Sequence, residues 1–405
     1  MARPELIAAM DLGAHRARAA VAEKSNDELN LIGFAEMESA GMEKGVIENI
    51  DALARRAREV LDEAMSEVNG QLSYVISGLA AHVVSHKRSW GMVPVWNKRV
   101  KNSDRLRTVS IAATVPLSPV QAVAQYVVLD YFVDEIRGIK NPVNLKGVKL
   151  GSECLVVIAN GTEVDALTQC MDKLKKNWCG FVYEPIAAAR AVLSDEEKRQ
   201  GVILIDLGAA QSSFVAYQNF VPTALDVFTI GGIDVTRQIA EELNIPLSEA
   251  ERIKYELPDL YVPDPEDKVE LELFGGMKGI PWQVVAQIMR EQYEQIFNCI
   301  VEMANRQGMR TEMLSSAVLV GGGANIPSIE KLARRFLMCP VRAANPCGPG
   351  SQGLLAKGAS CATIIGLLNW TVKDGLEGLV IKNGLLGKLR GVKNRFLRLK
   401  KGGGA

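Results

Sequence analysis

Residues 201–208, GVILIDLG, and residues 5–13, ELIAAMDLG, decide the fold. Each is a short apolar run that ends in Asp-x-Gly, and each opens a series of further strand-like stretches. After the first come strands at Arg18–Glu23 and Leu29–Met37, then residues 51–68, DALARRAREVLDEAMSEV, whose Leu53, Ala57, Val60, Leu61, Ala64 and Val68 fall at helical spacing. A strand at Ser73–Gly78 follows. After the second come strands at Ser212–Tyr217 and Thr223–Ile230, helices at 234–243, 248–256 and 283–307, and residues 316–323, SAVLVGGG, a buried strand running into a glycine turn. One motif opening two halves of the chain implies an internal duplication. Between the halves, residues 82–107 carry seven Lys/Arg, one acid and two tryptophans, Trp90 and Trp96. Beyond them the pattern predicts a strand at 108–115, a helix at 119–135, a strand at 153–159 and a helix at 163–176. Residues 82–160 therefore read as a small inserted α+β subdomain. Its basic stretch fits a solvated hairpin or protein-contact surface better than a single-stranded nucleic-acid site.

The 405 residues suffice for two to four domains. With 48% hydrophobic and 23% charged residues the chain can bury a core, which excludes global disorder. Lys+Arg and Asp+Glu number 47 each, but residues 385–401 hold seven of the basic residues and no acid. The remaining 40 basic residues face all 47 acidic ones, a body unlike a nucleic-acid-binding domain. Seven scattered cysteines without a CxxC pair and only three histidines argue against a disulfide framework or a zinc site and for a reducing compartment. The N-terminus lacks a signal-peptide pattern, and residues 361–370, CATIIGLLNW, are too short to span a bilayer. The expected location is cytoplasmic.

Three turns carry the chemistry: Asp11-Leu12-Gly13-Ala14, Asp206-Leu207-Gly208-Ala209 and Val320-Gly321-Gly322-Gly323. A glycine after a strand end lets backbone N–H groups approach phosphate oxygens. The preceding carboxylate can hold magnesium, directly or through water. Two such turns facing each other would grip a triphosphate from both sides, with the triple glycine suited to a nucleoside. Each motif alone is common; their joint spacing, together with Glu184-Pro185-Ile186-Ala187-Ala188-Ala189 just before the second half, is specific.

These motifs resemble the actin/heat-shock chaperone/sugar-kinase superfamily and, within it, the bacterial cell-division FtsA family. The resemblance also runs through GMEKGVIENIDAL (41–53), IKNPVNLKGVKL (139–150), EPIAAARAVLSDEEK (184–198), FTIGGIDVTRQIA (228–240) and LSEAERIK (247–254). It implies an α/β, actin-like two-lobed fold with duplicated strand-rich halves and an inserted, 1C-like α+β subdomain. The expected divisions are 1–81, 82–160 (the insert), 161–200, 201–370, a linker at 371–384 and a tail at 385–405. ATP and Mg2+ are the implied cofactors. Asp11 and Gly13 would form the first phosphate turn, Asp206 and Gly208 the second. Asp11 and Asp206 would hold magnesium through water, and Glu184 would sit near the metal and a catalytic water. Gly231 and Gly232 would line the cleft, and Gly321, Gly322 and Gly323 would back the adenosine. Glu251 and Lys254 would approach the ribose and adenine, unless they are an ordinary exposed i,i+3 pair. The implied partners are FtsZ, the chain itself in a homopolymer, the anionic membrane surface and later division proteins, with no nucleic acid.

The phosphate turns depart from the family pattern. Ala14-His15-Arg16 replaces the usual hydroxyls, Ala209 and Ala210 replace glycines, and Ser213 replaces an acid. His15 could touch a phosphate or face solvent. At most weak ATPase activity is expected. In the tail, Leu385, Leu389, Val392, Phe396 and Leu399 fall on one helical face, with Lys393, Arg395 and Arg398 at its edge or opposite. This fits an amphipathic helix lying in a membrane interface, or a helix packed on the body or a partner. A small-molecule kinase and a pilus-assembly ATPase similar to PilM are the competing readings. A kinase needs a general base near its acceptor hydroxyl and has little use for a basic amphipathic tail, and the tail helix and the 139–150 stretch favour the division scaffold over the pilus ATPase.

Overall fold

The structure, a computed structural model, describes residues 5–25, 28–262, 264, 266–273, 276–346, 355–373 and 379. The first lobe opens with an antiparallel meander of β1 (Glu5–Leu12), β2 (Arg16–Ser25) and β3 (Glu28–Glu38). A short hairpin follows, β4 (Met42–Glu43) and β5 (Val46–Ile47), then α1 (Ile50–Ala64) and β6 (Tyr74–Leu79). Asn49 caps α1 by accepting the Ala52 N–H at 2.9 Å. The helix buries Leu53, Ala57, Val60, Leu61 and Ala64, the stripe its sequence spacing announces. β6 then lies parallel to β1, as a crossover helix requires.

The chain next leaves the lobe for the insert: β7 (Val84–Pro94), α2 (Asn102–Ala112), β8 (Gln121–Val133), β9 (Ile136–Ile139) and β10 (Lys149–Asn160). These strands form a sheet of order β7-β10-β8-β9 with a core of its own, including Val93, Val109, Tyr126, Tyr131, Leu150 and Val156. β7 is an edge strand, and Trp90 and Trp96 are exposed. Two expectations are corrected here. Residues 108–112 continue helix α2 instead of forming a strand. The β-branched Thr108 and Val109 are buried along with Ala112, while Asp104 accepts the Lys101 N–H at the helix start. Gly91 of β7 admits the helix, because a Cβ there would stand 2.0 Å from Thr108 O. Residues 121–133 are strand β8, not a helix. The density of Val, Tyr and Phe suits a strand. Register shifts opposite Glu153/Cys154 and Val157/Ile158 break the two-residue alternation that would have shown it.

The chain returns through α3 (Gly161–Lys173) and β11 (Trp178–Tyr183), which pairs parallel to β6, then α4 (Glu184–Val192) and α5 (Asp195–Gln200). The second lobe repeats the plan. β12 (Val202–Leu207), β13 (Ser212–Gln218) and β14 (Val221–Phe228) form the meander. α6 (Gly232–Leu243), α7 (Leu247–Glu256), the hairpin β15 (Lys268–Leu273) and β16 (Gly276–Pro281), and α8 (Trp282–Arg306) lead to β17 (Ser316–Val320). α9 (Ile329–Leu337), β18 (Val341–Ala343) and α10 (Ala362–Lys373) complete the described chain. The two sheets have the orders β11-β6-β1-β2-β3 and β14-β13-β12-β17-β18. In both, a meander is extended from its first strand by two parallel strands, which is the duplication in three dimensions.

β12 explains why its sequence is an unbroken apolar run. Val202 and Leu204 face the core shared with the first lobe, and Ile203 and Ile205 face the helices of the second lobe. Both faces are covered, so neither can be polar. The lobes meet where α10 crosses α4. Gly366 packs so tightly that a Cβ would stand 1.8 Å from Ala187 O. The apolar segment 361–370 is thus a buried crossing, with Ile364, Ile365, Leu367 and Leu368 inaccessible to solvent. Among the described residues no helix is long and apolar enough to cross a membrane. α10 runs to Lys373, so the expected linker starts at least three residues later than position 371. The rest of that linker, apart from Leu379, and the tail residues Leu385, Leu389, Val392, Lys393, Arg395, Phe396, Arg398 and Leu399 lie outside the described residues.

Candidate functional site

Two hairpin turns face each other across a cleft of about 360 Å³, a size typical of small-molecule sites. The first, between β1 and β2, closes on a bond from Gly13 N–H to Arg16 O at 3.0 Å. The second, between β12 and β13, is tied to α6. Gly232 N–H donates to Gly208 O at 3.0 Å and Ile233 N–H to Ala209 O at 2.8 Å. These bonds use the first N–H groups of α6 on the turn itself. Gly231 stands behind the turn, where a Cβ would come 2.5 Å from Ala209 O. Gly232 therefore borders the cleft, and Gly231 serves the packing that brings α6 there.

Asp11, Asp206 and Glu184 converge on the same space from β1, β12 and the start of α4. Pro185 sits in the first turn of α4, where its missing N–H costs nothing. Glu184 rests over β6, with Gly78 leaving room for its carboxylate. Burial raises all three carboxyl pKa values. Asp206 is pushed up to about 7 by desolvation and then by the Asp11 charge. Glu184 is driven well above the usual carboxylate range by desolvation, Asp11 and Asp206. Asp11 is raised by burial, with Arg18 opposing. Three desolvated carboxylates repelling one another are poised to take up positive charge. Among the described residues, no group of three or more His, Cys, Asp or Glu side chains is placed to hold a metal ion directly.

The third turn closes the far side. Gly321 has φ +84°, a left-handed backbone, and a Cβ there would stand 2.3 Å from Asp206 Oδ1 and 2.6 Å from Leu207 O. Only glycine lets the strand end lie so close to the second Asp. Gly322 and Gly323 border the cleft, and a Cβ at Gly322 would meet nothing within 4 Å. Lys254 and Glu251 are not an exposed pair. Lys254 is buried, and its Nζ donates to Glu251 Oε2 at 2.7 Å, Thr236 Oγ1 at 2.7 Å and Gly232 O at 3.1 Å. Its three N–H donors thus brace α7 against α6 at the cleft wall. Burial lowers its pKa, with Glu251 opposing. His15 lines the cleft in the first turn, and burial lowers its pKa.

Sequence reasoning missed Arg18 and Glu36, which also line the cleft. Arg18 Nη1 reaches Asp11 Oδ2 at 3.2 Å, and its Nε reaches Glu36 Oε2 at 2.6 Å. The signal lay in the hairpin register, which sets Asp11 opposite Arg18 and Arg18 opposite Glu36.

Comparison with known proteins agrees with this architecture. The family model for cell division protein FtsA matches residues 203–366, and the model of the SHS2 domain inserted in FtsA matches residues 81–158. The chain is 25% identical to the cell division protein FtsA of Neisseria meningitidis serogroup B, over 98% of this chain and 97% of that protein. It is 29% identical to that of Bacillus subtilis, over 84% of this chain and 79% of the relative. Among solved structures, the PilM-PilN type IV pilus biogenesis complex aligns with a TM-score of 0.64 at 18% identity, covering 91% of this chain and 98% of that one. MreB5 of Spiroplasma citri bound to AMPPNP aligns with a TM-score of 0.52 at 13% identity, covering 92% and 98%. At these identities the structures speak for the fold alone, which is actin-like and two-lobed. With both family models matched in their places along the chain, the protein belongs to the FtsA family of cell-division proteins.

Proposed function

We propose that this protein is a nucleotide-binding, actin-like scaffold of cell division. It polymerises at the cytoplasmic face of the cell membrane at the division site, anchors FtsZ and recruits later division proteins. The observation that carries the reading is the match of both family models in their places along the chain, cell division protein FtsA over residues 203–366 and its inserted SHS2 domain over residues 81–158. The facing turns support ATP as the ligand that joins the lobes. Asp11, Asp206 and Glu184 fit Mg2+ held through water, since a hard cation that keeps part of its hydration suits three desolvated oxygen donors. When bound, magnesium would neutralise phosphate charge. Gly13, Gly208 and Gly321 to Gly323 keep side chains out of the phosphate and nucleoside path.

Turnover should be very slow. Ala14 and Ala209 offer no hydroxyl at the turns, and Ser213 offers no carboxylate, so Glu184 has little help in ordering a water. A scaffold tolerates this, because it needs nucleotide mainly to favour one arrangement of its lobes. Steady-state phosphate release above ~1 s⁻¹ would contradict this expectation and favour a kinase-like enzyme.

The tail, through Leu385, Leu389, Val392, Phe396 and Leu399 with Lys393, Arg395 and Arg398, would lie in the membrane interface. Sedimentation with anionic vesicles tests it. Phe396→Glu should weaken binding, and added salt should weaken it further, because each basic residue near an anionic surface contributes ~1 kcal/mol. If the chain ending at residue 384 sediments as well as the full chain, the anchor lies elsewhere.

A further inference from the structure

We propose that His82 couples the cleft to the inserted subdomain: a ligand that draws the two lobes together seats the hairpin β4–β5 on this imidazole and so fixes the insert at its root. This rests on the nucleotide reading above.

His82 stands where the chain leaves the first lobe, between β6 and β7, and the chain comes back at α3. Glu163, in the first turn of α3, ties these two crossings together. Its Oε2 accepts the His82 backbone N–H and its Oε1 faces Nδ1 of the ring, both at 3.1 Å. On the other side of the ring, Nε2 lies 2.9 Å from Lys44 O, at the tip of the β4–β5 hairpin. Both ring nitrogens therefore face acceptors, and only the imidazolium can donate to both. The side chain is 11% exposed, so packing as well as hydrogen bonding holds it.

The same hairpin reaches across the cleft. Met42 and Gly45 line it from the first lobe and Ala210 from the second. Gly45 has φ +83°, and a Cβ there would stand 2.9 Å from His82 Nε2 and 3.2 Å from Ala210 Cβ. The tip thus sits between the imidazole and the second phosphate turn, with no room for a side chain of its own. The methyl on that turn belongs to Ala210, one of the positions where this chain departs from the glycine pattern. A ligand gripped by both turns holds Ala210 against the tip, and the tip against His82. Without it the lobes are free to part, and the hairpin keeps only the imidazole. These are two seatings of one element, and the ligand favours one of them.

Protonation sets how firmly the tip is held. The hydrogen bond to Glu163 raises the His82 pKa from its ordinary 6.5, with burial opposing. Of the charged side chains on the neighbouring elements, Glu163 of α3 faces the ring, while Asp165 of α3 and Glu43 and Lys44 of the hairpin are exposed. Loss of the ring proton leaves Nδ1–H on the carboxylate and a bare lone pair on Nε2 against the Lys44 carbonyl, which releases the tip.

Hydrogen exchange of the full chain with and without saturating Mg-ATP is the test, read at β7 and β10, the first and last strands of the insert. The readout is the ratio of the two rates, in which the intrinsic pH dependence of exchange cancels. At about pH 6 ATP should slow exchange in these strands by ~3-fold or more, and at about pH 9 much less. Asp206 titrates in the same range, so the reference is His82→Gln, which keeps Asp206 and should show little effect at either pH. Glu163→Gln removes the carboxylate that holds the proton on the ring and should move the midpoint of the effect to lower pH. Ala210→Gly withdraws the methyl, leaves the imidazole alone and should abolish the effect at every pH. It keeps the idea testable should the His82 variant fold poorly. No ATP effect on the insert of a wild type that binds ATP, an effect equal in wild type and His82→Gln, or one that survives Ala210→Gly would reduce His82 to a static clasp and overturn the proposal. Calorimetric titration separates these outcomes from failure of the nucleotide reading: no ATP binding by the wild type would overturn that reading, and this inference with it.

Discussion

Asp206 shows how the cleft trades stability for charge. Its pKa rises from 3.8 to about 7 on folding, chiefly through desolvation. Between those values the unfolded chain is ionised at this residue and the folded chain still holds the proton. Folded stability therefore falls as pH rises from about 4 to about 7, and the cost stays constant above that range. In the metal-free protein Asp206→Asn should raise stability at pH 8, by up to roughly 4 kcal/mol, and the gain should vanish near pH 4. Urea unfolding at the two pH values decides this; a gain independent of pH, or a loss at pH 8, would show that Asp206 is not a strained anion. Asp11, Gly13, Asp206, Gly208 and the triple glycine were legible because Asp-x-Gly and a glycine run after an apolar strand leave few alternatives. Arg18 and Glu36 were not, since which charges meet across a sheet depends on register, and register is set by the length of the turn. The burial of Lys254 was hidden for a similar reason: its partners Thr236 and Gly232 belong to another helix.

Among the elements, those built by local rules were legible and those decided by tertiary packing were not. α1 and α8 carry their buried stripes at helical spacing, and β12 and β17 carry continuous apolar runs. In the insert, Thr108 and Val109 favour a strand by propensity, yet they form a helix because Gly91 opens a seat for it on the sheet. The helix pair α4 and α10 depends on such a seat as well. Replacing glycine by alanine inside a helix ordinarily stabilises it by ~1 kcal/mol. At Gly366 the new methyl would stand 1.8 Å from Ala187 O and 2.4 Å from Ala187 C, so backbone has to move. Gly366→Ala should cost roughly 3 kcal/mol or more, as overpacking against backbone does. A shift in the urea midpoint equivalent to less than ~1 kcal/mol would mean that the crossing is loose and the lobes are not clamped there.

At the scale of the whole molecule, the duplicated halves and the inserted subdomain could be read from the repeated strand-Asp-x-Gly opening and the change of pattern after residue 81. In the proposed reading, reaching a membrane falls to the tail, where residues 385–401 hold seven basic residues and no acid, after a glycine-containing stretch that follows α10 in the sequence. The proposed scaffold needs a cleft between two lobes and a tail that would gather many copies on one surface. Electron microscopy of the full chain on anionic vesicles with Mg-ATP tests this most directly. Filaments lying on the vesicle surface are expected, and they should be lost when the chain ends at residue 384. Vesicles densely coated with protein but bearing no filaments, with nucleotide bound, would contradict the scaffold.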